Sequence, residues 1–156
     1  MKMLKKLSIV LLTLILCVST PIAVFAQSTL KTSTDIQYLD DGSYFVTEME
    51  ECISPFTTYT RKQGKTVTYY NGDDEKQWSV TIWGTFQYNG SSATCTIAST
   101  SYNIFESAWK VTEAKATKSG RTATGDFVVK KYWLGIITKT VPVTVIISCD
   151  NNGNIG

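Results

Sequence analysis

The chain has 156 residues, 43% hydrophobic and 18% charged, with a formal net charge of +2 and no histidine. Without histidine the commonest general base and the commonest metal ligand are missing, which removes the Ser-His-Asp and Cys-His arrangements. Lys2, Lys5 and Lys6 supply more than the whole excess charge. Beyond residue 26 the chain carries twelve basic against thirteen acidic side chains, so no basic stripe is left for nucleic acid.

In chain order, the first element is a basic start at Met1–Lys6, an apolar run from Leu7 to Val18, and then Thr20-Pro21 and Val24-Phe25-Ala26. This is the n-region, h-region and small-residue cleavage site of a secretory signal peptide over residues 1–26, cut after Ala26. The mature protein is then secreted and extracellular, free or associated with the cell surface. A spanning helix needs about 20 apolar residues. This run is shorter and Pro21 closes it, so no transmembrane segment is expected in the mature chain. Cys17 follows Leu14-Ile15-Leu16, which lack the small residues a lipidation site requires.

Residues 27–63 read as a polar leader and linker, with an acidic cluster at Glu48, Glu50 and Glu51 and an extended turn at Ser54-Pro55-Phe56. A domain is expected over 64–150. Lys65 to Tyr70 alternates, Asn71-Gly72-Asp73-Asp74 turns the chain, and Gln77 to Tyr88 is the clearest strand. Trp78, Val80, Ile82, Gly84, Phe86 and Tyr88 share one face of it, and Ser79, Thr81, Trp83, Thr85 and Gln87 share the other. Gly84 marks a bulge or bend. Further strands follow at Ala93–Phe105, with Cys95 and Ile97 on one face, at Trp109–Lys118, at Arg121–Tyr132 and at Ile136–Cys149. Pro142 cannot donate to a ladder and places the last strand at an edge or a bulge. Residues 151–156 form a flexible Gly/Asn tail. Short strands of this spacing predict an all-β, antiparallel meander folded as a small β-sandwich, with a small barrel as the alternative.

Three cysteines outlast the signal segment: Cys52, Cys95 and Cys149. Pairing is the default in an exported chain. Cys95 and Cys149 lie on the apolar register of strong strands, which favours a Cys95–Cys149 disulfide. It closes a loop of more than fifty residues, valued at about 4 kcal/mol by the chain-entropy model. Cys52 is left as a free thiol, an intermolecular bridge or the partner of one of the others. No cysteine pair has metal-ligand spacing, there is no phosphate-binding glycine motif, and no cofactor is expected. Paired carboxylates are the remaining enzymatic option. Only Glu106, Glu113 and Asp126 fall among the strands, and the ordinary reading of Asp126 is an outward residue beside Lys110 or Lys130. Asp73-Asp74-Glu75 lacks calcium-loop spacing and reads as a solvated turn.

The aromatic residues pack well in sheets. Trp83 lies opposite in register to the core face, and Trp133, Leu134 and Ile136 sit at a hairpin tip, so these four form the candidate binding surface. No catalytic residue is assigned.

The blocks Tyr69-Tyr70-Asn71-Gly72, Gly84-Thr85-Phe86, Tyr88-Asn89-Gly90-Ser91-Ser92-Ala93-Thr94-Cys95, Trp109-Lys110-Val111 and Cys149-Asp150-Asn151-Asn152-Gly153 resemble a family of small secreted proteins of Gram-positive bacteria, known as a domain of unknown function. The resemblance covers residues 56–153. It implies export and a β-rich domain with matching cysteines at 95 and 149, and no activity. The expected function is a non-enzymatic extracellular binding module for a protein or glycan. The alternative is a secreted antimicrobial or membrane-active oligomer.

Overall fold

The computed structural model describes residues 30–52 and 60–156. The expected signal segment and the expected Ser54-Pro55-Phe56 turn lie outside the described residues. The described chain is all-β: eight strands in two antiparallel sheets that pack face to face as a sandwich. The first sheet runs in sequence order, β1 (Leu30–Tyr38), β2 (Tyr44–Cys52), β3 (Thr60–Tyr70), β4 (Lys76–Tyr88) and β5 (Ala93–Ile104). The second holds β6 (Trp109–Ser119), β7 (Thr122–Trp133) and β8 (Ile136–Ser148).

Period-two alternation builds the core. β4 places Trp78, Val80, Ile82 and Phe86 inward, all fully buried, against Ala123, Phe127 and Val129 of β7 and Val145 and Ile147 of β8. Two glycines allow the sheets to approach closely. A Cβ on Gly125 would lie 3.1 Å from Ile82, and one on Gly84 would overlap the Phe86 ring and reach Ala123 at 3.4 Å. Gly84 is thus a contact point between sheets, and the bulge lies next to it, between Thr85 and Phe86. At one end Tyr69, Trp78, Trp109 and Phe45 form an aromatic cluster with centroids 5.2–6.1 Å apart.

Two boundaries and one face assignment differ from the sequence reading. The polar leader contains β1 and β2, and β3 begins at Thr60, so these residues belong to the larger sheet. Their polarity reflects a sheet with one solvated face: Phe45 and Met49 point inward while Glu48 and Glu50 alternate outward. Ile97 does not share a face with Cys95, because the bulge shifts register there; Cys95 is buried and Ile97 is 60% exposed. The 151–156 segment is tied down rather than flexible. Asn151 accepts from Gly90 N, Gly153 O accepts from Arg61 Nη1 at 2.7 Å, and Ile155 bridges to Cys149. Pro142 pairs with Val128 on β8, an edge strand, as its missing donor requires.

All of this core comes from residues beyond position 38. The portion after Ala26 therefore contains every described element of the fold.

Candidate functional site

The β7–β8 hairpin runs past the start of β6. β6 begins at Trp109 opposite Lys131, whereas β7 continues through Tyr132 and Trp133. Its turn is Leu134-Gly135, with φ of 48° and 82°. Two successive positive φ values are those of a type I′ turn, whose preferred first residue is Asn or Asp. Leucine in this region is strained by its Cβ. The chain nevertheless places it at the hairpin turn, open to solvent. Leu134 is 87% exposed, Trp133 70% and Ile136 69%, and Ile137 adds a fourth exposed apolar side chain. Trp133 pairs directly with Ile136, so three of the four residues expected from sequence form one continuous tip.

Trp83 does not join them. It is half-buried on the outer face of the larger sheet, its ring lying over Gly64, where a Cβ would come within 2.7 Å. Its indole N–H donates to Ser101 Oγ at 3.1 Å and the Lys62 ammonium sits 5.1 Å from its ring centroid. These contacts occupy Trp83 in packing its own sheet.

Four lysines surround the base of the tip, a feature the linear sequence does not display. Lys131 stands opposite Lys139 across β7 and β8, and Lys110 stands opposite Lys130 across β6 and β7. The pairs occupy opposite faces of the small sheet, because residues 130 and 131 alternate. Like charges directly opposite destabilise a ladder. Lys139 is compensated: its ammonium donates to Asp41 Oδ2 at 3.0 Å and to the Tyr69 hydroxyl at 2.9 Å. Those contacts raise its pKa, the Tyr69 bond first, while the Ser43 hydroxyl and then Lys139 hold the Asp41 carboxyl well below its usual range. Lys131 rests over Trp109 and Lys110 over Tyr132, at 5.7 and 5.3 Å from the ring centroids. Among the described residues, Lys110, Lys130 and Lys131 have no carboxylate partner.

Below the tip a cleft of about 290 Å³ opens between the sheets, lined by Asp41, Tyr69, Gln77, Trp109, Lys131 and Lys139 among others. Trp109 Nε1 donates to Gln77 Oε1 there at 3.2 Å, which fixes the aromatic wall.

The expected Cys95–Cys149 bond is not formed. Both are free, buried thiols, donating to Ile97 O and Asp150 O at 3.3 and 3.4 Å. Burial pushes both thiol pKa values up. The topology that the bond required is nonetheless present. Cys95 N donates to Gly120 O and Cys149 N to Arg121 O, so one turn anchors both residues. Cys52 ends β2.

Asp126 accepts from Thr144 Oγ1 at 2.8 Å and faces Lys115 across the ladder, while Glu106 caps its own loop through Ala108 N. No cluster of three metal-ligating side chains occurs among the described residues, and no helix among them is long and apolar enough to cross a membrane. No protein-family model, curated protein or solved structure matches the chain.

Proposed function

We propose that the chain is a secreted, non-enzymatic β-sandwich that binds an extracellular partner through the β7–β8 tip. One observation carries this reading: the turn of the β7–β8 hairpin holds leucine at positive φ, the most exposed large hydrophobic side chain among the described residues, flanked by exposed Trp133 and Ile136. A sequence selected for folding alone would place Asn or Asp there. Local rules are broken where function requires it. The absence of histidine agrees with a binding role.

Retention of the labelled protein on whole bacterial envelopes tests it. Trp133→Ala combined with Ile136→Ser is expected to reduce retention at least tenfold, and retention equal to wild type overturns the tip as the contact surface.

A further inference from the structure

The geometry points to an anionic lipid surface as the partner of the hairpin tip, an inference that rests on the tip being the contact surface.

Three features separate a membrane from a protein groove. The first is layering along the hairpin. Strands rise about 3.3 Å per residue, so the Lys131–Lys139 row lies roughly 10 Å behind Leu134, and the Lys110–Lys130 row about one step further. An interfacial element buries its apolar face about 5–10 Å into the boundary of headgroups and acyl chains. A tip seated to that depth brings both lysine rows to the level of the lipid phosphates. Lysine stems are long enough to lie along the apolar part and keep the ammonium in the polar layer.

The second feature is that the lysines occupy both faces of the hairpin. A protein groove would meet one face. A bilayer surrounds the tip, and lysines on every side are then useful. Each pair is a like-charge juxtaposition across a ladder, with a carboxylate on Lys139 alone. An anionic surface supplies the countercharge that the fold leaves out.

The third is the distribution of charge over the whole molecule. Residues 109–148, the smaller sheet and its turns, hold seven basic against two acidic side chains. Residues 30–104 hold five basic against nine acidic ones. The acidic turns share the hairpin's end of the molecule and have to be placed. Asp41 meets Lys139, and Asn71 and Gly72 line the same cleft as the lysines. Both turns therefore reach the cleft lined by Lys131 and Lys139, and the apolar tip residues do not line that cleft. Asp40, Asp73, Asp74 and Glu75 then oppose an anionic surface from the larger sheet, which orients the smaller sheet toward the bilayer.

Cosedimentation of the Gln27–Gly156 chain with vesicles provides the test, since that portion contains the whole described core. Vesicles of equal phosphatidylglycerol and phosphatidylcholine are compared with pure phosphatidylcholine. Binding to the anionic vesicles should be at least tenfold tighter and should weaken steeply between 0.05 and 0.5 M salt, as the Debye length shrinks from about 14 to about 4 Å. Lys130→Gln and Lys131→Gln should each weaken it about fivefold. Leu134→Asn should weaken it at least fivefold without lowering the melting temperature, because Asn suits the turn better. That variant separates lost contact from lost fold. Equal binding to both vesicle types, or anionic binding untouched by Leu134→Asn, overturns the proposal. Tip-dependent retention on envelopes without vesicle binding would overturn the lipid partner and leave the binding-module reading in place. Loss of neither signal in the tip variants would overturn both.

Discussion

The two sheets share one core and differ in almost everything else. The five-stranded sheet is acidic, and its outer face is filled with small polar pairs and packed rings: Thr66 and Thr81 hydroxyls bond at 2.8 Å, and Tyr44 stacks on Tyr70 with centroids 4.7 Å apart. Trp83 belongs to that pattern, closing over Gly64. The three-stranded sheet is basic, opposes its own lysines, and extends an unpacked apolar hairpin. Burial and cross-strand satisfaction stabilise the first. The second tolerates repulsion and a strained turn, each a local cost without a local partner. Where such costs gather in one element, that element is the place to look for a ligand.

The largest effect is expected in the core. Trp78 is fully buried and lies at the centre of the cluster of Tyr69, Phe45 and Trp109. Trp78→Ala should cost about 3–5 kcal/mol, and both sheets should melt together in one urea transition followed by fluorescence. Two separated transitions would show that the sheets do not share a core. Gly84→Ala places a methyl against the Phe86 ring and toward Ala123. Overpacking of this kind costs about 1–3 kcal/mol, again readable in urea, and an unchanged midpoint would mean that the sheets are not held together at this contact.

Smaller effects sharpen the electrostatic half. Lys130→Thr removes one member of the Lys110–Lys130 pair and should raise stability by about 0.2–1 kcal/mol. The gain should fade in 1 M salt, where the Debye length is about 3 Å. A gain independent of salt would point to strand propensity instead. The smallest effect belongs to the clamp that joins the sheets, Asp41 with Lys139. The Asp41 carboxyl is depressed in the folded state, so its contribution is present above the ordinary carboxylate range and is lost as pH falls below about 4. Asp41→Asn should therefore flatten the decline in melting temperature between about pH 5 and pH 2. Lys139 has the opposite sign: its raised pKa keeps its contribution until pH passes the ordinary lysine value of 10.5. An identical acid profile in wild type and Asp41→Asn would remove the clamp from the account.

Much of the fold is legible in the chain because strand periodicity is a local property. The Gln77–Tyr88 alternation, the Asn71 and Asn89 turns and the edge position of Pro142 all follow from near neighbours. The sequence suggests only a short strand at Tyr44–Thr47 where β1 and the longer β2 stand, because a solvated edge region reads as polar. The inward residues of β2, Phe45 and Met49, are too few to announce its full length; pairing with β3 fixes it, and β1 is fixed in turn by pairing with β2. Trp133, Leu134 and Ile136 were identifiable as a tip from their position beside Gly135. Their lysine setting was not: Lys110 and Lys139 are far from Lys130 and Lys131 in sequence, and only the ladder registers bring them together. The nearest linear signal was the Lys130-Lys131-Tyr132-Trp133-Leu134 run, where two cations precede three large apolar residues.

By itself, then, the order of residues determined a two-faced, all-β chain without histidine chemistry, because side chains two apart must share a face whatever the strand pairs with. Tertiary structure alone decided that the two cysteines meet at one turn, that Trp83 is occupied, and that four lysines flank a bare apolar tip. Those outcomes depend on register between distant strands, and register is set by which ribbons pair and where a bulge shifts them.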